Sequence, residues 1–161
     1  MIFVTVGHQM PFDRMIKAID QWAIDRDRSD VFAQIGSTDY KPKKIECAAT
    51  IDPTEFRQRI KDADAVVAHA GMGTILTAFE LGTPILVMPR RGALHETRND
   101  HQVATAERFL EMGRLAVAMD EHELPEKLDQ VSNLTAGGAI SATASPELIQ
   151  ALASFIHQAD H

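Results

Sequence analysis

The segment with the clearest chemistry is a turn rich in small residues: His69, Ala70, Gly71, Met72, Gly73 and Thr74. Glycines let the backbone come close to a ligand. A helical pattern begins at Thr74, and the first amides of a helix lack partners within it and attract negative charge. The turn therefore predicts a phosphate or diphosphate site, with a ligand-free strand-to-helix turn as the alternative.

This turn differs from two common phosphate motifs. It lacks the third glycine of the dinucleotide fingerprint, and it follows the fourth predicted strand rather than the first. No Walker lysine follows it. These differences argue against an NAD site and against a P-loop.

A polar segment after the fifth predicted strand offers carboxylates, amides and imidazoles together, which suit hydrogen bonds to hydroxyl groups. Its members are Arg90, Arg91, His95, Glu96, Arg98, Asn99, Asp100, His101 and Gln102. The acidic and imidazole residues do not have the HExxH spacing, so no metal site is expected. Asn99 and Asp100 are also suited to capping the next helix. Arg90 and Arg91 either neutralise phosphate or face an acidic partner, and the sequence leaves both open.

Two further loops carry small or polar residues where a predicted strand ends. Gly7, His8 and Gln9 follow the first strand, and Gly36, Ser37 and Thr38 follow the second. In a parallel sheet, ligands bind beyond the carboxyl ends of the strands. Four of the seven histidines lie in or just after the four loops, so we expect these loops to converge on one site.

The elements that must position these loops alternate along the chain. Strands are predicted over 2–6, 31–35, 45–49, 63–69, 84–88 and 115–118, and helices after Pro11 and Pro53 and over 74–81, 99–112 and 121–132. Gly82 and Gly113 are predicted to end two of the helices. Apolar strands separated by helices predict an α/β fold with a doubly wound parallel sheet.

The last part of the chain breaks this alternation. Residues 134–145 are small and uncharged and predict a flexible linker between an α/β domain, 1–133, and a C-terminal helix within 146–161. The helix has an apolar stripe of Leu148, Ile149, Leu152, Phe155 and Ile156. It either packs back on its own sheet or docks on a partner.

Composition narrows the class of protein. The chain has 161 residues, 45% of them apolar and 24% charged, as in a globular domain. One cysteine, Cys47, excludes an internal disulfide and suits a reducing compartment. A net charge of −7 argues against binding nucleic acid. No apolar run approaches a membrane span, and the start does not resemble a signal peptide, so we expect a cytoplasmic protein.

Several of these segments together carry a resemblance. The stretches 66–74 (VVAHAGMGT), 80–84 (ELGTP), 88–90 (MPR) and 96–102 (ETRNDHQ) resemble the glycosyltransferase family 28 C-terminal domain. Within it they are most similar to bacterial polysaccharide-biosynthesis subunits of the PssE/EpsF type, which are Alg13-like and distantly MurG-like. The segments 3–9 and 34–36 also match, and the resemblance covers residues 1–114.

The resemblance implies the Rossmann-like C-terminal half of a GT-B glycosyltransferase, with a UDP-sugar across the strand ends. Gly71, Met72, Gly73 and Thr74 would hold the diphosphate, beside Gly7, His8 and Gln9. Asn99, Asp100, His101 and Gln102 would contact the sugar, and Ile51 would border the uracil with Asp52. Thr77 stands where MurG has a ribose-binding glutamate; Glu80 either replaces it or is a salt-bridged surface residue. The implied substrate-binding set also includes Gly36, His69, Ala70, Arg90 and Glu96.

The resemblance also implies a division of labour between two chains. This chain would be the donor-binding catalytic subunit of an inverting enzyme that uses neither cofactor nor metal. A membrane-associated Alg14/PssD-like partner would hold a lipid-diphosphate-linked acceptor at the inner membrane, in exopolysaccharide or capsule synthesis. His8 is the candidate acid or base on this chain, although the partner is expected to supply the general base. The alternatives are a non-catalytic nucleotide-sugar-binding or regulatory subunit, and a self-sufficient homodimer.

Overall fold

The computed structural model describes residues 1–7, 10–97, 100–112 and 115–131. His8, Gln9, Arg98, Asn99 and Gly113 lie outside the described residues. The predicted linker, 134–145, and terminal helix, 146–161, also lie outside them.

Six parallel strands form one sheet, as the sequence predicts. The strands are β1 (Ile2–Thr5), β2 (Val31–Gln34), β3 (Glu46–Ala48), β4 (Ala65–His69), β5 (Ile85–Met88) and β6 (Ala116–Val117). Their order across the sheet is β3-β2-β1-β4-β5-β6, and every neighbouring pair is parallel. The predicted doubly wound parallel sheet is confirmed.

The described residues form five α-helices: α1 (Asp13–Asp25), α2 (Pro53–Asp62), α3 (Met72–Leu81), α4 (His101–Met112) and α5 (Leu124–Asp129). A short 3₁₀ helix, Gly92–Leu94, follows β5. Gly82 ends α3 in the left-handed conformation, with φ of 70°, as predicted. No described helix is long and apolar enough to span a bilayer.

Two helix boundaries differ from the sequence prediction for local reasons. Helix α3 begins at Met72 rather than Thr74, because the extended Gly71 is its N-cap. Helix α5 begins at Leu124 rather than residue 121, because the Asp120 carboxylate accepts the N–H groups of His122 and Glu123 and forms a turn there.

Apolar clusters cover both faces of the sheet. On one face, α1 and α5 pack on Val4, Val67 and Leu86. On the other face, α2, α3 and α4 pack on Phe3, Val66 and Val87. The faces are closed by helices, so the ends of the strands are left for ligands.

The sheet has its topological switch point between β1 and β4. These strands are neighbours, and the chain winds from β1 towards β3 on one side and from β4 towards β6 on the other. A crevice forms at the carboxyl ends of such a pair, which is where doubly wound proteins bind ligands. The loops that follow β1 and β4 therefore define the candidate site.

A buried carboxylate anchors the segment that leads into β3. Asp20 in α1 is 1% exposed. It accepts the backbone N–H groups of Lys43, Lys44 and Ile45 at 2.9–3.2 Å and the Tyr40 hydroxyl at 3.0 Å. Burial alone would raise the pKa of Asp20, but these donors outweigh burial and hold that pKa below its ordinary value.

The Asp20 carboxylate is expected to stabilise the fold in a pH-dependent way. Because its folded pKa is below its unfolded pKa, the contribution is complete above the unfolded value and is lost as pH falls through the folded value. Asp20→Asn should lower the free energy of unfolding near pH 7 by about 2 kcal/mol, and the difference from wild type should shrink in acid.

Urea unfolding over a pH series measures this difference. The control is Asp25→Asn on the same helix, an exposed carboxylate that accepts only from Gln21 among the described contacts. Equal losses from the two substitutions would contradict the assignment of the stabilisation to Asp20.

Candidate functional site

A cavity of about 480 Å³ opens at the carboxyl ends of β1 and β4. Its volume is that of a typical small-molecule site. Its lining residues are Gly7, Phe56, His69, Gly71, Gly73, Thr74 and Thr77. The structure therefore brings together most of the predicted diphosphate turn, Gly7 and Thr77, and adds Phe56.

The N-terminus of α3 faces this cavity without a side-chain cap. The first hydrogen bond of the helix runs from the Ile75 N–H to the Gly71 carbonyl, at 3.1 Å. The amides of Met72, Gly73 and Thr74 precede that bond, and no described side chain caps the helix here. Unpaired amides and the helix dipole favour an anion at this end.

The three glycines that line the cavity differ in whether a side chain would fit at their position. A Cβ on Gly7 would lie 2.6 Å from Nε2 of His69, and one on Gly71 would lie 2.2 Å from its Cε1. Gly7 also has a φ of +80°. A Cβ on Gly73 would meet no heavy atom of the described chain within 4 Å. The His69 ring therefore leaves no room for a side chain at Gly7 or Gly71. The space beside Gly73 is open to a ligand.

The other predicted residues in and just after this turn have side chains that contact the protein itself. Ala70 is 1% exposed and belongs to the apolar core, and Met72 packs against that core. The Thr77 hydroxyl donates to the Gly73 carbonyl at 2.8 Å, one turn below. Glu80 pairs with Arg57 at 3.2 Å on the surface, as the alternative interpretation of Glu80 predicts.

Gln102 connects His69 to the loop after β5. Its Nε2 lies 3.2 Å from Nδ1 of His69, and its Oε1 accepts the backbone N–H of Arg90 at 3.2 Å. The three residues line a smaller cavity of about 80 Å³ together with Val6, Met10, Glu96 and Thr97. Because His69 lines both cavities, the predicted sugar-binding segment adjoins the predicted diphosphate turn.

Arg90 has a role that the sequence does not suggest. Its guanidinium is buried and donates to the carbonyls of Val6, Met10, Pro11 and Glu96. Burial lowers the pKa of Arg90 to about 10. The guanidinium thus holds the loop after β1 against the loop after β5, rather than pointing its donors at a phosphate or an acidic partner.

Glu96 is also engaged within the protein. Nε and Nη2 of Arg14 donate to its two carboxylate oxygens at 2.9 and 2.8 Å, and the Arg91 N–H donates to one of them at 3.0 Å. Arg14 further pairs with Glu121 at 2.6 Å. The Arg91 guanidinium donates to the Met119 carbonyl at 2.7 Å. This network fixes the path of the loop between β5 and α4.

The remaining predicted residues lie around the site but do not line the cavity of about 480 Å³ at the ends of β1 and β4. Asp100 is exposed and accepts the Gly92 N–H at 2.9 Å, and His101 is exposed at the start of α4. Ile51 packs against the apolar core beside α2. Gly36, with φ of +77°, lies behind the loop after β1, where a Cβ would be 3.5 Å from Pro11. Their contacts with a ligand stay predictions.

Phe56 lines the cavity but is not among the site residues predicted from the sequence. Its ring meets Phe3 edge-on at 5.8 Å, and Phe3 stacks on Phe32 at 6.3 Å. The signal that could have found it is its position just after the segment predicted to border the base.

A second cavity of similar volume, about 520 Å³, lies between α1 and α5. Trp22, Arg26 and Pro125 are among its lining residues, and none of its described lining residues is a predicted site residue. Helices α1 and α5 cover one face of the sheet, and the cavity lies along that face. Over the described residues, no group of three His, Cys, Asp or Glu side chains is arranged to hold a metal ion.

A family model and two sequence relatives match this chain. The family model described as the glycosyltransferase family 28 C-terminal domain matches residues 1–153. Two proteins named UDP-N-acetylglucosamine transferase subunit ALG13, from the JEC21 and B-3501A strains of Cryptococcus neoformans var. neoformans serotype D, are each 37% identical over 76 residues. That alignment spans 46% of this chain and 36% of each relative.

Solved structures with the same fold are longer than this chain. The glycotransferase of kitacinnamycin gives a TM-score of 0.57 at 20% identity, over 96% of this chain and 37% of that one. The calicheamicin glycosyltransferase CalG4 gives a TM-score of 0.56 at 22% identity, over 96% of this chain and 38% of that one. The glycosyltransferase VinC, solved in complex with DTDP, gives a TM-score of 0.57 at 18% identity, over 99% of this chain and 41% of that one.

These chains are GT-B glycosyltransferases, and this chain corresponds to about two-fifths of each. The parallel sheet, the GT-B neighbours and the family match over most of the chain agree with one another. The chain belongs to the glycosyltransferase family 28 C-terminal domain family, and its fold is the Rossmann-like half of a GT-B glycosyltransferase.

Proposed function

We propose that this chain is the donor-binding catalytic subunit of a two-component glycosyltransferase that moves a sugar from a UDP-sugar to a lipid-diphosphate-linked acceptor. The observation that carries this proposal is the uncapped N-terminus of α3, with open space beside Gly73, at the switch point of the sheet. The ALG13 relatives are named as subunits of a UDP-N-acetylglucosamine transferase, which supports both the donor class and the subunit role.

The proposed chemistry uses the helix end as an electrostatic partner for the leaving group. The β-phosphate of the donor lies against the amides of Gly73 and Thr74. As the bond from the sugar to UDP breaks, negative charge builds on the diphosphate, and the amides and helix dipole stabilise that charge. The acceptor hydroxyl attacks the sugar from the face opposite the departing UDP and passes its proton to a general base that the partner supplies, so the transfer inverts, and no metal is needed.

Phe56 is proposed to lie against the uracil ring. Stacking of a base on an aromatic side chain is worth about 1–3 kcal/mol. We expect Phe56→Ala to weaken UDP binding about tenfold, measured by calorimetry. Phe32→Ala is the matched control, because Phe32 belongs to the same aromatic cluster but does not line the cavity. Equal weakening by both variants would contradict a base contact at Phe56.

The acceptor half is proposed to be a separate polypeptide. This chain matches about two-fifths of each GT-B chain, and the ALG13 relatives are named as subunits, which supports a second polypeptide that completes the cleft. We propose a membrane-associated, Alg14/PssD-like partner in exopolysaccharide or capsule synthesis, with residues 146–161 contributing to docking. Deleting 134–161 should abolish co-purification with that partner, and retained binding would contradict the docking role.

A transfer assay separates this function from its alternatives. Transfer of radiolabelled sugar from UDP-sugar to a lipid-linked acceptor is expected only when the partner is present. Transfer by this chain alone would indicate a self-sufficient enzyme. With a complex reconstituted, His8→Ala should slow transfer if His8 acts as an acid or base. A His8 variant at full rate would leave that role to the partner. UDP binding without transfer in the full complex would indicate a non-catalytic binding or regulatory subunit.

A further inference from the structure

The cavity of about 520 Å³ between α1 and α5 is a groove with apolar residues from both helices. These residues are Ala18 and Trp22 on α1 and Pro125 on α5. Ala18 and Trp22 are about one turn apart, so they lie on the same side of α1. Trp22 belongs to the apolar cluster on this face of the sheet, and Ala18 packs against that cluster. An apolar groove of this kind is a typical docking place for the apolar face of a further helix.

Residues 146–161 of the same chain have the complementary pattern, although they lie outside the described residues. Five large apolar side chains recur there at helical spacing: Leu148, Ile149, Leu152, Phe155 and Ile156. A helix of this length is marginal in water by itself, and most helical stability in proteins comes from packing an apolar face. The apolar stripe therefore needs a surface to pack on.

The groove is within reach of this segment. Pro125 lies about one turn before the end of α5 at Asp129, and the structure describes the chain as far as Val131. A linker of small residues with the length of 134–145 spans about 20 Å on average. The stripe can therefore reach the groove of its own chain while α5 and the sheet stay in place.

The charges of the groove and of the segment are complementary. Residues 132–161 include two acidic side chains, Glu147 and Asp160, and no lysine or arginine. The groove is lined by three cationic and two acidic side chains: Arg14, Lys17, Arg26, Asp25 and Glu121. Lys17 is exposed, and its ammonium lies 5.3 Å from the centre of the Tyr40 ring rather than in an ion pair with a described carboxylate. An acidic segment therefore suits this groove better than a basic one.

We propose that, in the chain on its own, residues 146–161 form a helix that packs its apolar stripe into the groove between α1 and α5. This inference goes beyond the proposed function and does not rest on it. The docking role proposed above concerns the complex with a partner, in which the stripe leaves the groove. The groove thus keeps the stripe out of water until a partner takes it up.

Disulfide trapping in the full chain tests this contact. With the native thiol removed by Cys47→Ser, Ala18→Cys places a thiol in the groove and Leu152→Cys places one in the middle of the stripe. We expect mild oxidation to join the two within one chain, seen as a shifted monomer band on a non-reducing gel. Leu110→Cys with Leu152→Cys is the control pair, because Leu110 is exposed on α4, which covers the other face of the sheet.

The trapping results separate the possible occupants of the groove. A disulfide within one chain for Ala18→Cys, with little for Leu110→Cys, would support the proposal. No disulfide at Ala18→Cys, or equal yields from the two pairs, would overturn it. Disulfide-linked dimers would assign the stripe to the groove of a second copy, and would likewise overturn packing within one chain.

Backbone ¹H–¹⁵N spectra give a second test without added thiols. Leu152→Asp puts a charge in the stripe, whereas Gln150→Asp puts the same charge on the opposite side of the predicted helix. We expect Leu152→Asp to shift the amide signal of Ala18 and the indole signal of Trp22, the single tryptophan, and Gln150→Asp to leave both in place. Signals unmoved by Leu152→Asp, or moved equally by both variants, would contradict the contact. Neither test uses UDP or a partner, so a failure of the proposed function leaves both tests valid.

Discussion

Gly73→Leu is expected to abolish UDP binding and to leave the fold intact. A Cβ at this position meets no described atom within 4 Å, so the larger side chain has room in the free protein. In the complex, that side chain would occupy the place proposed for the diphosphate and cover the amides at the start of α3. We expect UDP affinity to fall at least about 100-fold.

A stability measurement and a control variant make the Gly73 result decisive. Thermal unfolding should show no loss of stability, because leucine is favoured over glycine in a helix. The matched control is Glu80→Leu, which adds leucine to the same helix at an exposed position that does not line the cavity. A Gly73→Leu protein that binds UDP as wild type does would place the diphosphate elsewhere.

Arg90→Met is expected to cause the largest loss of stability. Methionine keeps much of the length of the side chain and removes the guanidinium donors that four carbonyls share. Buried carbonyls left without donors each cost free energy, and we expect the free energy of unfolding to fall by about 3 kcal/mol. UDP affinity should fall with it, because the loop after β1, which begins beside Gly7, loses its anchor.

The neighbouring arginine is the control for Arg90. Arg91 donates through its guanidinium to one described carbonyl, that of Met119. Arg91→Met should therefore cost about 1 kcal/mol or less, measured by urea unfolding under the same conditions. Similar losses from the two substitutions would show that the four carbonyls do not depend on Arg90. Arg90→Lys should recover little, since an ammonium cannot span acceptors as a planar guanidinium does.

The sheet and the turn after β4 could be predicted because their signals are local. Apolar runs such as 65–69 mark buried parallel strands, and Gly82 marks a helix end by its conformation. The position of the site follows from the strand order, which the alternation of strands and helices restricts to a few possibilities. These parts of the prediction needed no knowledge of long-range contacts.

The roles of the charged residues could not be read from the sequence. Arg90 binds the Val6 carbonyl across 84 residues of chain, and Arg14 binds Glu96 across 82. The spacing of residues along the sequence does not show which distant groups they contact. A cationic loop beside a site therefore predicts phosphate contacts even when its side chains bind other parts of the protein. Phe56 was missed for a related reason: its exposure depends on how α2 lies beside α3.

The most direct test of the diphosphate site is a UDP titration followed by the backbone ¹H–¹⁵N signals of the chain. With the diphosphate at the start of α3, the largest saturable changes should fall on the amides of Gly73 and Thr74, with smaller ones at Gly7. Changes centred instead on Trp22 and Arg26, beside the cavity between α1 and α5, would contradict that site, as would the absence of any saturable change.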